Sequence, residues 1–131
     1  MAEIDTSKIR IAVIDDEKIL LQTFSSLMRQ FGYNADFFSS APKALESVLA
    51  NPTRYNLIIA DIKMPEMDGV TFVKKVRGIL PNIPIIFMTG GVSEEMRQAA
   101  LGVGNVVFLE KPFPLEATLK EAIPKLLGDR R

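Results

Sequence analysis

The sequence predicts an α/β fold: a doubly wound, five-stranded parallel sheet with helices on both faces, in (βα)5 order. Two observations lead there. Short β-branched runs alternate along the chain with segments of helical period. Most of these runs are apolar throughout rather than alternating, as strands covered on both faces must be.

The first run, "IRIAVI" at 9–14, is followed by a helical stripe over 17–31, where Ile19, Leu20, Phe24, Leu27, Met28 and Phe31 share one side and Gly32 ends the helix. "NADFF" at 34–38 is the second run. The helix after it, 41–50, has Ser40 as its cap, Pro42 in its first turn, and Ala44, Leu45, Val48 and Leu49 as its apolar face. "NLIIA" at 56–60 leads to a third helix over 69–80, opened by Asp68 and carrying Val70, Val73, Val76 and Leu80. "IPIIFM" at 83–88 precedes a short helix from Ser93 to about 101, and "VVFL" at 106–109 precedes a fifth over 114–123. Pro124 is expected to end or kink that helix, because it removes an amide and clashes with the preceding turn at a cost of about 3 kcal/mol.

No linker, low-complexity tract or repeat divides the 131 residues, so they are read as a single domain with a core over about 8–123 and a tail or start of a linker at 124–131. Sixteen basic residues balance sixteen acidic ones, which leaves no global field to draw the chain to nucleic acid or anionic lipid. Cysteine and histidine are both absent. That excludes disulfides, thiolate metal sites, the Ser-His-Asp arrangement and most zinc sites. The first ten residues mix charges without an apolar core, and no run approaches the length of a membrane span. The expectation is a cytoplasmic domain with no membrane partner.

Ligands of an open parallel sheet bind beyond the carboxyl ends of its strands, so the residues that follow each strand carry the functional reading. Asp15 and Asp16 follow the first strand, with Glu17 behind them. Asp61 follows the third, Thr89, Gly90 and Gly91 the fourth, and Lys111 the fifth. The second ends in Ser39 and Ser40 and is expected at an edge. Paired aspartates alone are more often a helix cap, "MPEMDG" alone a turn, and Met64 and Met67 plain packing. The coincidence of compatible chemistry at four strand ends outweighs those readings. Three carboxylates gathered together repel one another unless a hard cation such as Mg2+ sits among them, and a lysine and a hydroxyl beside them suit a phosphoryl group.

"VIDDE", "DIKMPEMDG", "MTG" and "EKPF" stand in the order and at the separations of a response-regulator receiver domain, and the sequence resembles that family over about residues 8–123. The resemblance implies a flavodoxin-like fold and a chemotaxis-regulator-like signalling module rather than an enzyme. By the same resemblance, Asp61 is the phospho-acceptor that takes a phosphoryl group from a histidine kinase or a histidine phosphotransfer protein. Asp15 and Asp16 then hold Mg2+, one directly and one through water, with Asp61 and the Lys63 backbone carbonyl as further ligands. Lys111 pairs with the phosphoryl oxygens. Thr89 and Phe108 form the switch that reshapes the face made by the fourth helix, fifth strand and fifth helix, where a downstream protein binds the monomer or a phosphorylation-dependent dimer.

Three departures from the family pattern bear on that expectation. Phe108 has no hydroxyl where the family often has tyrosine, so partner contacts are expected to be more apolar. Val106 and Val107 precede it, an apolar entry to the strand whose plainest meaning is core packing. Gly91 offers no side chain to orient an attacking water, which predicts slow self-dephosphorylation. A magnesium phosphohydrolase similar to the haloacid-dehalogenase group would need its nucleophile after the first strand and an acid two residues on, where this chain has Lys63. A flavodoxin-like electron carrier would need a phosphate loop where "DDEKILL" stands, and the complete set of five polar residues argues against a receiver that has lost its chemistry.

Overall fold

The computed structural model describes residues 5–111 and 114–128. Its elements run in strict alternation after a short 3-10 turn at Thr6–Lys8: β1 (Arg10–Ile14), α1 (Lys18–Phe31), β2 (Asn34–Phe38), α2 (Ala41–Ala50), β3 (Leu57–Asp61), α3 (Gly69–Arg77), β4 (Ile85–Thr89), α4 (Glu94–Leu101), β5 (Val106–Glu110) and α5 (Leu115–Gly128). The sheet order is β2-β1-β3-β4-β5, and every pairing is parallel. The fold is the doubly wound five-stranded (βα)5 arrangement that the alternating segments predict, with β2 at one edge.

Because successive strand residues point to opposite faces, each apolar strand feeds two cores. Ile11, Val13, Leu57, Ile59, Ile86 and Met88 pack with Phe24, Leu27 and Met28 of α1 and with Leu119 and Ile123 of α5. Ala12, Ile14, Ile58, Ala60, Ile85 and Phe87 pack on the other face with Ala44 and Val48 of α2, Phe72, Val73 and Val76 of α3, and Ala100 of α4. Val106 and Val107 are half-buried, one packed against each core, because β5 is the other edge of the sheet.

Helix ends follow the local chemistry of the sequence. Ser40, Asp68 and Ser93 each accept a hydrogen bond from the backbone N–H three residues on, satisfying a donor of the first turn. Gly32 closes α1 in the left-handed conformation (φ 83°) that glycine adopts without steric cost.

Three expectations change. Helix α5 does not end at Pro124 but runs through it to Gly128. Pro124 and Lys120, whose carbonyl loses its helical partner, are both exposed, so water can satisfy that carbonyl while Leu119 and Ile123 stay anchored in the core. Ile19 leaves the apolar stripe and is 79% exposed. Ile19 stands in the first turn of α1, and the packing of that helix on the sheet is carried by Leu20, Leu21, Phe24, Leu27 and Met28. Leu49, at the end of α2, is likewise exposed, while Ala41, Ala44 and Val48 make the contact. Pro112, Phe113, Arg130 and Arg131 lie outside the described residues. Among those described, no helix is long and apolar enough to cross a membrane.

Candidate functional site

From β1 the chain winds outward to β2 and then returns across the sheet to β3, so β1 and β3 flank the switch point where a crevice opens at the carboxyl ends. Ile14 pairs with Ala60 across that junction. Asp15, one residue past β1, and Asp61, the last residue of β3, therefore leave the sheet side by side. Asp61 and Thr89 belong to their strands and are not the first residues beyond them, because the parallel ladder continues one step further than the apolar runs.

The carboxylates of Asp15, Asp16 and Asp61 converge, with one oxygen of each lying within 4.8 Å of the others. Asp15 and Asp61 are buried and Asp16 is exposed at the rim. Asp15 Oδ1 accepts a hydrogen bond from the Glu17 backbone N–H at 2.8 Å, which turns Oδ2 into the crevice. Among the described residues Oδ2 has no hydrogen-bond partner, although Lys111 Nζ stands 3.5 Å away. Lys111 reaches in from the end of β5, placing Nζ 3.5 Å from Asp61 Oδ2 and 3.7 Å from Glu17 Oε1. Its own N–H donates to the Thr89 carbonyl at 2.6 Å, which fixes the root of the side chain to β4.

One ammonium does not neutralise this many acids. Burial is the main reason the Asp15 carboxyl is pushed up to about 6; the Glu17 amide opposes it and the Asp61 charge adds to it. Burial raises Asp61 too, against the charge and hydrogen bond of Lys111 and the contact with the Lys63 backbone amide. Burial works against the Lys111 charge, yet Asp15, Asp61 and Glu17 together hold its pKa above the usual lysine value. A buried, unpartnered carboxylate oxygen among two further carboxylates is a donor set of hard oxygens, and it fits a small divalent cation.

Thr89 is buried, and its Oγ1 accepts from the Gly91 backbone N–H at 3.1 Å. It pairs in register with Glu110. Phe108, two residues back on β5, is half-buried beneath the guanidinium of Arg97, whose central carbon lies 4.7 Å from the ring centre. Arg97 also reaches Glu110 Oε1 at 2.6 Å, so α4 grips the strand that carries Phe108. Asp15, Asp16, Asp61, Thr89 and Lys111 thus stand at the carboxyl end of the sheet, while Phe108 lies two residues back from Glu110 along β5. Glu17, read in the sequence only as a neighbour of the aspartates, proves to contact Lys111. Arg97 was not read at all, since nothing in an amphipathic helix marks which cation will stack on a distant ring.

The family model for the response regulator receiver domain matches residues 11–123. The chain belongs to the response-regulator receiver family. Among curated relatives of this receiver domain, the transcriptional regulatory protein ZraR of Escherichia coli K12 is 35% identical over 118 residues, which cover 88% of this chain and 26% of ZraR. The response regulator protein TodT of Pseudomonas putida F1 is 36% identical over 109 residues, or 83% of this chain and 47% of TodT. The receiver chain therefore spans about a quarter of the one and about half of the other. Its fold superimposes on a receiver protein of Sinorhizobium medicae with a TM-score of 0.84 at 32% identity, covering 94% of this chain and 97% of that one. The chemotaxis protein CheY4 of Vibrio cholerae gives 0.75, also at 32% identity, over 86% and 93%. The receiver domain is a module of two-component signalling.

Proposed function

We propose that this receiver is a phospho-acceptor switch in which Asp61 takes a phosphoryl group from the phosphohistidine of a histidine kinase or a histidine phosphotransfer protein. The observation that carries this reading is the convergence of Asp15, Asp16 and Asp61 around a buried carboxylate oxygen with no hydrogen-bond partner, with Lys111 3.5 Å from two of the three acids. An Asp61 carboxylate oxygen attacks phosphorus, the P–N bond breaks, the electron pair stays on the histidine ring, and Asp61 becomes an acyl phosphate. Asp15, Asp16, Asp61 and the Lys63 carbonyl would hold Mg2+, which when bound neutralises charge on the phosphoryl oxygens. Lys111 contributes the fixed positive charge and Thr89 a hydroxyl donor, so the protein supplies position and electrostatics and little covalent chemistry. The domain assists its own modification and is not an enzyme in the ordinary sense.

The added charge gives the Thr89 hydroxyl proton a strong acceptor, while its Oγ1 now accepts from the Gly91 amide. Its movement, with that of Phe108, biases a two-state equilibrium of the α4-β5-α5 face, where a downstream protein binds. The output of residues 1–131, taken as one domain, is protein contact; the balanced charge favours this over direct nucleic-acid binding. Gly91 presents no side chain toward the site, so the phosphoryl group is long-lived, and loss within seconds at neutral pH would refute that point.

Intact mass after incubation with Mg2+ and acetyl phosphate tests the acceptor. The expected result is gain of one phosphoryl group by the wild type and none by Asp61→Asn or in the presence of a chelator. A wild type that stays unmodified under this donor and also shows no Mg2+ binding overturns the reading.

A further inference from the structure

We propose that Gly69 is a positioning residue for Asp61: by having no side chain, it clamps the peptide that leaves the acceptor and so sets the direction of the Asp61 carboxylate. The inference rests on the reading of Asp61 given above. The loop from Ile62 to Asp68 turns back on itself, and the first residue of α3 returns to lie on the strand end from which the loop departed. A Cβ built on Gly69 would overlap the Asp61 carbonyl oxygen and stand 3.0 Å from both the Asp61 carbonyl carbon and the Ile62 Cα. These are backbone atoms of a buried strand end and cannot swing aside as a flexible side chain could.

Two hydrogen bonds complete the clamp. The Gly69 N–H donates to the Ile62 carbonyl at 2.8 Å, and the Ile62 N–H donates to the Met88 carbonyl at 3.0 Å. The peptide after Asp61 is therefore held by the neighbouring strand on one side and by the start of α3 on the other. The adjoining Asp68 has a separate task, since its carboxylate accepts the Thr71 N–H at 2.8 Å and caps the helix. Capping and positioning fall on adjacent residues and can be separated by mutation. A side chain at 69 forces a shift at this contact, and a shift taken up by the strand end moves the Asp61 carboxylate beside Asp15 and the Lys63 carbonyl two residues on. Displacements of about 1 Å cost on the order of 100-fold in reactions that depend on alignment.

The test compares Gly69→Ala with Asp68→Ala, using acetyl phosphate at saturating Mg2+, intact mass to follow the phosphoryl group, and urea unfolding to count folded molecules. The expected result is a fall of at least tenfold in phosphorylation rate per folded molecule for Gly69→Ala, together with weaker Mg2+ binding. Asp68→Ala is expected to lose stability while staying within about twofold of the wild-type rate. A Gly69→Ala rate within twofold of wild type, or an equal fall in Asp68→Ala, overturns the proposal. Should Gly69→Ala not fold, one glycine inserted between Met67 and Asp68 releases the clamp without adding a side chain, and the same tenfold fall is required of it. A wild type that takes no phosphoryl group and binds no Mg2+ is the separate failure of the Asp61 assignment, and it removes the ground for this inference.

Discussion

Asp36 sits on the edge strand β2 and has no part in the acidic site, yet it holds that edge to the rest of the molecule. Its Oδ1 accepts from Arg10 Nη1 at 2.8 Å, and its Oδ2 accepts from Arg54 Nε at 2.9 Å and from the Tyr55 hydroxyl at 2.8 Å. The Tyr55 hydroxyl in turn lies 2.9 Å from Ser47 Oγ of α2, so one carboxylate joins β1, β2, α2 and the segment before β3. Burial alone would raise its pKa, but the hydrogen bonds from Arg54 and Tyr55 and the charges of Arg10 and Arg54 hold it below the usual value. A depressed carboxylate contributes stability that is present above its unfolded pKa, near 3.8, and is lost as the pH falls through the lower folded value. Asp36→Ala should therefore cost about 1.5–3 kcal/mol at neutral pH, the range of charge-assisted hydrogen bonds. That cost should shrink as the pH falls below about 4, as protonation weakens the wild-type bonds too. Urea unfolding of both proteins at neutral and acid pH checks this. A pH-independent difference would mean that the packing of the side chain, not its charge, is what counts.

At the scale of elements, α5 is the case where local chemistry and tertiary packing oppose each other. Pro124 removes a helical hydrogen bond within the helix, while Leu119 and Ile123 are fully buried on the α1 side of the sheet. Packing wins because the proline ring and the carbonyl it deprives both lie on the solvent side. Pro124→Ala should accordingly stabilise the domain by about 1–3 kcal/mol, a gain readable as a higher urea midpoint with unchanged slope. No gain would mean that the proline's restriction of the unfolded chain offsets its cost in the helix. The same opposition explains what the sequence could and could not reveal. The all-apolar strands and the capped helices were legible because each rests on neighbours in sequence. The last residues of β3 and β4 were not, since Asp61 and Thr89 are polar side chains on a backbone ladder that hydropathy does not register. Nor was the exposure of Ile19, which depends on how the first turn of α1 sits against strands elsewhere in the chain.

Over the whole molecule, parallel topology explains why the acidic cluster could be read in advance: every strand of such a sheet points its carboxyl end the same way, so the polar residues at the ends of β1, β3 and β5 lie at one end of the sheet. Contacts made through space by backbone or by unrelated elements were hidden, among them Gly69 on the Asp61 carbonyl and Arg97 on Phe108. Gathering the acids has a cost that the fold bears when no cation is present. Asp15 titrates near 6 in the folded domain against 3.8 as an isolated group, and Asp61 is shifted the same way. Asp16, Glu17 and Lys111 are the other charges facing them. Between those values the folded state keeps a proton that the unfolded chain has released. Stability contributed by Asp15 is therefore full below about 4 and is lost as the pH rises through 6, by up to about 3 kcal/mol. The depressed Asp36 acts below 3.8 and the raised Lys111 above 10.5, so neither masks the effect between pH 5 and 7.5. Bound Mg2+ reverses the trend by favouring the ionised carboxylates, adding about 2.7 kcal/mol at a hundredfold excess over its Kd. Urea unfolding in chelator should then show the wild type less stable at pH 7.5 than at pH 5, and the stabilisation by Mg2+ should be larger at pH 7.5. Asp15→Asn keeps the Glu17 hydrogen bond and removes a buried charge. It should exceed the wild type in chelator at pH 7.5 by about 1–3 kcal/mol and lose most of the Mg2+ gain. A wild-type profile that is flat with pH, or a destabilised Asp15→Asn, would show that Lys111 compensates the cluster fully and that no strain awaits the cation.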